Sequence, residues 1–193
     1  LFQLIRSLSS EVPVYFAYGN HEIAYQEQHP ELREQLTEAG AVVVEENYVD
    51  TTINGNAVRI GGYYDYAFST THPYTSEDTM DTENYNFLTD FCSGDALKIM
   101  LSHRPDSFVF SDASSVWSID YVLCGHNHGG QVILPFIGGL FGGDQGFLPE
   151  YASGIHQFTS MQMIITRGLS SNPEYLPRFN NPPEIVCLDF ESY

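Results

Sequence analysis

Short apolar segments that end abruptly in polar residues recur along the chain and predict buried strands. Three such segments cover residues 12–18, 97–101 and 119–124. Each has the length typical of a buried strand, about 4–8 residues. In open α/β sheets, ligands bind beyond the carboxyl ends of the strands. The polar residues that follow these three segments are therefore the first candidates for a functional site.

The rest of the pattern predicts an α/β domain. An Asn54-Gly55 pair between two β-type runs, 51–53 and 57–61, predicts a hairpin. The other predicted elements are helices over residues 1–9, 30–39 and 81–92 and strands over residues 42–44, 132–134, 161–166 and 185–190. The polar segment 69–81 and the glycine-rich segment 137–146 are predicted to be loops, the second of them mobile. No internal repeat or linker divides the sequence, so residues 1–193 are expected to form one domain.

Composition narrows the range of functions. The 193 residues include 25 acidic side chains against 7 lysines and arginines, which gives a formal net charge of −18. A surface of this charge repels phosphate backbones, so nucleic acid binding through basic patches is excluded. Cys124 and Cys187 lie in apolar runs, which predicts buried thiols, and the cysteine spacing favours neither a disulfide framework nor a cysteine zinc site. No apolar run approaches the roughly 20 residues that span a bilayer.

Histidines follow each of the three apolar strands. Asn20 and His21 end the first, His103 ends the second, and His126 and His128 end the third. A single histidine at a strand end is more often structural than a ligand. In an extended chain, however, side chains i and i+2 point to the same side, which predicts that His126 and His128 face one site. Imidazoles with an amide oxygen and no thiolate favour a hydrolytic metal centre over a structural zinc site.

Three motifs around these histidines, and the order in which they occur, resemble those of the calcineurin-like metallophosphoesterase family. The motifs are Gly19-Asn20-His21-Glu22, Ser102-His103-Arg104-Pro105 and Gly125-His126-Asn127-His128-Gly129-Gly130-Gln131. The tail, with Thr166-Arg167-Gly168-Leu169 and residues 177–186, is similar to that of a bacterial branch of membrane-associated or exported phosphodiesterases. The resemblance covers nearly the whole chain and implies an α/β fold, a mixed two-sheet sandwich flanked by helices.

This resemblance implies a hydrolase that cleaves phosphoesters with two divalent metal ions (Mn, Fe, Zn or similar) and a bridging hydroxide. It makes Asn20, His103 and His126 ligands of one ion and His128 a ligand of the other. His21 would be the catalytic residue beside the metals, where it would stabilise the phosphoryl oxygens or protonate the leaving group. Arg104 is a candidate substrate contact. Outside this set, we expect Glu22 to cap a helix and His29, His72 and His156 to be structural.

The sequence departs from the family pattern on its N-terminal side. The family's Asp-x-His and Gly-Asp-x-x-Asp/Asn motifs precede the Asn-His motif, and neither occurs here. Gly94-Asp95 and Gly143-Asp144 both follow Asn20, and neither has an Asp or Asn three residues past its Asp. We therefore expect the chain to be roughly the C-terminal two-thirds of a domain that lacks its first strands. Its site would be incomplete and would hold at most one metal ion, with little turnover. An exposed sheet edge would favour pairing with a second copy.

Several alternatives stay open at this point. A pyrophosphohydrolase of a nucleotide-linked lipid precursor uses the same motifs, and a degenerate, non-catalytic binding module would also lack some of them. Retention of His21 and His128 favours the hydrolase, whose substrate would be a small phosphate ester. A segment preceding Leu1 would carry any membrane anchor. The location therefore stays open between membrane-associated or exported and cytoplasmic.

Overall fold

A computed structural model describes residues 1–68, 80–110, 113–169 and 177–191 of the chain. Its helices are α1 (Phe2–Ser9), α2 (Asn20–Gln26), α3 (Leu32–Glu38), α4 (Thr82–Phe91), α5 (Asp106–Val109) and α6 (Ala113–Val116). Its strands are β1 (Val14–Phe16), β2 (Ala41–Val43), β3 (Asn47–Ile53), β4 (Asn56–Gly62), β5 (Leu97–Leu101), β6 (Tyr121–Cys124), β7 (Ile133–Leu134), β8 (Gly138–Gly139), β9 (Phe141–Gly142), β10 (Gly146–Phe147), β11 (Gly154–Gln157) and β12 (Gln162–Ile165). Most of the predicted polar loop 69–81, including His72, lies outside the described residues.

A mixed sheet forms the centre of the fold. Among the described residues its strand order is β11-β12-β6-β5-β4-β3. The four central strands run parallel, while β11 and β3 are antiparallel to their neighbours at the two edges. The hairpin predicted at Asn54-Gly55 is confirmed, because it joins β3 to β4. Since the parallel strands share one direction, the segments that follow β5 and β6 emerge at the same edge of the sheet.

Alternating side chains divide the core between the two faces of this sheet. On one face, Met100 and Val122 are fully buried in a large cluster that also contains Phe108 and Trp117. On the other face, Ile60 and neighbouring side chains of the sheet pack against one another and against β1 of the second sheet. The period of two that separates the faces is the ordinary consequence of strand geometry.

A second sheet is formed by the parallel strands β1 and β2. Tyr15 of β1 packs against the face of the central sheet that carries Ile60, so the two sheets lie in separate layers. Helices α1 and α3 pack with β1 and β2 around a smaller core that includes Ile5, Tyr18 and Leu36. The predicted α/β class, with a mixed sheet flanked by helices, is confirmed. In the described part of the chain, no helix has the length and apolar character needed to cross a bilayer.

Two predictions about the C-terminal half were wrong. Residues 185–190, predicted as a strand, form no regular secondary structure and pair with no strand among the described residues, and Cys187 is exposed rather than buried. The glycine-rich segment 137–146, predicted as a loop, instead takes part in two short antiparallel ladders, in which β8 pairs with β7 and β9 pairs with β10. Its mobility stays a prediction. Local apolar composition misleads in the first case, because no strand in the described part of the chain supplies backbone partners.

Candidate metal centre

The ends of β5 and β6 bring two of the predicted histidines together. The ladder between these strands continues past their ends, since Ser102 N donates to Leu123 O and Gly125 N donates to His103 O, both at 3.0 Å. These backbone bonds fix the position of the turn that carries His103 beside the turn that carries His126. The rings of the two histidines meet edge to face, with centroids 5.1 Å apart and planes at 73°.

Asn20 reaches the same point from the second sheet. It follows β1 and begins α2, whose N-cap is Gly19. Glu22 Oε2 accepts the Gly19 N–H at 3.0 Å, so the predicted capping role of Glu22 is confirmed. A Cβ atom at Gly19 would lie 2.9 Å from the His103 ring, and the glycine therefore permits the close approach of the two turns. The result is a separation of 3.0 Å between Asn20 Oδ1 and His103 Nε2.

Electrostatics favour neutral imidazoles in this cluster. Burial, together with the nearby His126, His128, His21 and Arg104, lowers the pKa of His103 to about 4. Burial also lowers the pKa of His126, although Asp144 opposes that change. A neutral imidazole keeps one nitrogen lone pair free, and this is the form that binds metals.

The cluster fits part of a metal site. Asn20 Oδ1 and His103 Nε2 lie at hydrogen-bond distance, 3.0 Å, which is also about the separation of two donors bound to one ion at about 2.1 Å and at right angles, as in octahedral coordination. His126 supplies a third donor group next to them. Among the described residues, no three His, Cys, Asp or Glu side chains converge on one point as a complete site requires. The donor set therefore consists of two imidazoles and one amide, which suits Zn, Mn or Fe.

The turn after β6 is not extended. The argument that His126 and His128 face one site, which assumed an extended chain in which side chains i and i+2 point to the same side, was therefore wrong. His126 has φ of 63° and His128 has φ of 47°, and residues 128–130 form a 3₁₀ turn. Left-handed backbone at residues other than glycine is uncommon and costs about 1–3 kcal/mol each. Such strain is typical of functional sites and requires support from the surrounding structure.

The C-terminal tail supplies that support. The carbonyl oxygen of His128 accepts from Asn181 Nδ2 at 2.6 Å, from Arg178 Nη1 at 3.3 Å and from Gln131 N at 3.2 Å. Arg178 Nη2 also lies 3.4 Å from His128 Nδ1 and bonds the carbonyl of Arg167. These contacts hold the histidine turn against the segment that follows β12.

Arg104 is enclosed by aromatic rings and carboxylates. Its guanidinium stacks between Tyr64 and Tyr66, at 4.3 and 4.1 Å from the ring centroids, and donates to Tyr64 O. Its Nη atoms lie 3.7 Å from Asp65 and 3.7 Å from Asp144, and its side chain is 12% exposed. The arrangement links the segment after β4 to the glycine-rich segment. Contact between Arg104 and a substrate stays a prediction.

The sequence reasoning missed Asp144. Its Oδ2 lies 3.8 Å from His126 Nε2 and bridges that ring to Arg104. The preceding residue, Gly143, is so close that a Cβ atom there would lie 2.5 Å from His126 Nε2. The sequence offers no local signal for this contact, because it depends on how the β9–β10 hairpin folds back onto the turn after β6.

The remaining predicted residues fall into two groups. His21 is exposed beside Asn20, and its charge contributes to lowering the pKa of His103. His29 stacks on Tyr25 at 4.0 Å, and His156 lies 3.1 Å from Ser153 O. The structural role predicted for His29 and His156 agrees with these contacts.

Comparison with known proteins identifies the class. Residues 1–130 match the family model described as calcineurin-like phosphoesterase, so the chain belongs to that family, as the ordered motifs predicted. The chain is 36% identical to the phosphodiesterase YaeI of Escherichia coli over 93 residues, which are 48% of this chain and 32% of that protein. It is 26% identical to the uncharacterized metallophosphoesterase YkuE of Bacillus subtilis over 191 residues, 98% of this chain and 60% of that protein. The chain thus spans less than two-thirds of either relative.

Proposed function

We propose that the chain carries the catalytic histidines of a metal-dependent phosphoester hydrolase, a phosphodiesterase or phosphatase. The observation that carries this proposal is the convergence of Asn20 Oδ1 and His103 Nε2 at 3.0 Å, with the His126 ring against His103. Membership of the calcineurin-like phosphoesterase family supports it. The substrate would be a small phosphate ester.

Each residue of the cluster has a separate task in this proposal. Asn20, His103 and His126 would hold one divalent ion, and His128 would contribute to a second. Two such ions would supply an activated hydroxide as the nucleophile and would neutralise the charge that develops on the phosphoryl oxygens. His21 would hydrogen-bond to the phosphoryl oxygens or give a proton to the leaving alkoxide. Since this sequence has no Asp-x-His motif, we propose that the chain by itself binds a single ion, weakly.

The formal charge of −18 does not contradict a negatively charged substrate. Bound divalent cations are the largest local charges in such a site and reverse its sign. The imidazoles of His103 and His126 are neutral at pH 7, because burial lowers the pKa of each, so they add no charge of their own. A small ester would therefore meet a positive centre within an acidic surface.

Metal analysis of the chain and its variants tests this function. The protein is stripped with a chelator, reloaded with Zn²⁺ or Mn²⁺, and assayed for bound metal and for hydrolysis of bis(p-nitrophenyl) phosphate. Asn20→Ala and His103→Gln should each weaken metal binding by more than the roughly 10–100-fold that loss of an outer-shell partner costs. His29→Ala is the matched control, since His29 stacks on Tyr25 outside the cluster. Unchanged metal affinity in both site variants would contradict the proposal.

A further inference from the structure

The Nε2 edge of the His126 ring lies against the β9–β10 hairpin. A Cβ atom at Gly143 would lie 2.5 Å from both Nε2 and Cδ2 of His126, so the backbone of the β9–β10 hairpin covers that edge of the ring. Asp144 Oδ2 lies 3.8 Å from the same Nε2. Because Nε2 is covered and faces a carboxylate, the nitrogen left for a metal is Nδ1.

We propose that Asp144 is a positioning residue that holds the proton of His126 on Nε2 and so commits Nδ1 to the metal. This inference rests on the proposed function, in which His126 is a ligand. Histidine ligands generally donate their other N–H to a carboxylate, a carbonyl or water, which fixes the tautomer and the orientation of the ring. The distance of 3.8 Å between Asp144 Oδ2 and His126 Nε2 is longer than a hydrogen bond. A small movement of the hairpin, or one bridging water molecule, would complete the hydrogen bond.

Asp144 is itself held in place. Its Oδ2 lies 3.7 Å from Arg104 Nη1, and the stacking of Arg104 between Tyr64 and Tyr66 limits the movement of that guanidinium. Burial and a hydrogen bond with Asp144 raise the pKa of Tyr66 to about 12, so the phenol stays protonated beside the carboxylate. An orienting carboxylate needs such fixed partners to act on the ring rather than move with it.

Asp65 provides a matched control. It also lies 3.7 Å from Arg104, through Nη2, and its side chain is more exposed than that of Asp144. Removal of either carboxylate takes one ion-pair partner from Arg104, but it is Asp144 that lies near the His126 ring, at 3.8 Å from Nε2. A difference between the two variants therefore reports on the contact with His126 and not on loss of negative charge near Arg104.

Two measurements on the full chain test the proposal. Competition with a chromophoric chelator gives the Zn²⁺ affinity, and long-range ¹H–¹⁵N NMR of the metal-free protein gives the tautomer of His126. Asp144→Ala should weaken Zn²⁺ binding by roughly 10–100-fold and convert an Nε2–H imidazole into a tautomer mixture. Asp144→Asn keeps an oxygen that accepts the Nε2–H and should recover most of the affinity. Asp65→Ala should match the unaltered chain in both measurements.

The outcomes separate this inference from the proposed function. If the unaltered chain binds Zn²⁺ and Asp144→Ala changes neither affinity nor tautomer, the role of Asp144 is wrong and the metal site stands. If the unaltered chain binds no Zn²⁺ while Asp144→Ala still alters the tautomer, the contact with His126 is supported and the proposed function fails. Should Asp144→Ala not fold, the tautomer of His126 in the unaltered, metal-free chain decides the question, because an Nδ1–H imidazole there would overturn the role of Asp144.

Discussion

Gly143 approaches His126 so closely that a methyl group has no room between them. A Cβ atom at Gly143 would lie 2.5 Å from His126 Nε2 and Cδ2 and 2.8 Å from Asn127 Oδ1. Optimal separations between such atoms are about 3.5–4.0 Å, so Gly143→Ala must move the ring or the hairpin by about 1 Å. Overpacking of this kind typically costs about 1–3 kcal/mol of folding free energy. A displacement of about 1 Å also weakens a site whose groups must converge on one ion.

We expect Gly143→Ala to lower the Zn²⁺ affinity of the chain by roughly tenfold or more, as disturbance of a histidine ligand does. Chelator competition measures the affinity, and urea unfolding separates this effect from a general loss of stability. Gly125→Ala is the matched control, because a Cβ atom there meets His103 Nδ1 at 3.8 Å, an ordinary contact. The reasoning is refuted if Gly143→Ala folds and binds Zn²⁺ as tightly as Gly125→Ala.

Two further predictions concern stability. Asn181, which is 4% exposed, donates to the carbonyls of His128 and Gln131. Asn181→Ala should therefore lower the free energy of unfolding in urea by about 1–3 kcal/mol. An unchanged unfolding midpoint would contradict the role of the C-terminal tail in supporting the histidine turn. Burial raises the pKa of Glu45 to about 7, above its ordinary value of 4.5, so the native state prefers the protonated acid. The stability that the protonated Glu45 gives to the native state is present in full below about pH 4.5. It is lost as the pH rises through 7, because the unfolded chain releases this proton at a lower pH than the native state does. Glu45→Gln keeps an oxygen for the Tyr18 N–H and should stabilise the protein at pH 8 by on the order of 1 kcal/mol, given the partial exposure of Glu45, but not at pH 4. Equal unfolding midpoints for the variant and the unaltered chain at pH 8 would show that burial of the Glu45 carboxylate costs no stability and that its pKa is not raised.

The sequence was sufficient for features that depend on local pattern and strand direction. The Asn54-Gly55 hairpin follows from turn chemistry, and the meeting of His103 with His126 follows from two parallel strands that end at one edge. The conformation of residues 126–128 could not be predicted in this way, because left-handed backbone there depends on bonds from Asn181 and other distant residues. The same holds for Asp144, which lies between Gly143 and Gln145 in a glycine-rich segment with no periodic pattern.

The position of the residues that hold the histidine turn has a consequence for biosynthesis. Arg178 and Asn181 bond the carbonyl of His128 from positions 50 and 53 residues further along the chain. Since synthesis proceeds from the N-terminus, β5 and β6 can leave the ribosome and pair well before either partner exists. The turn that carries His126 and His128 therefore acquires its final shape only after residues 178–181 have left the ribosome. A ribosome that stalled before Arg178 would display the sheet without a finished site.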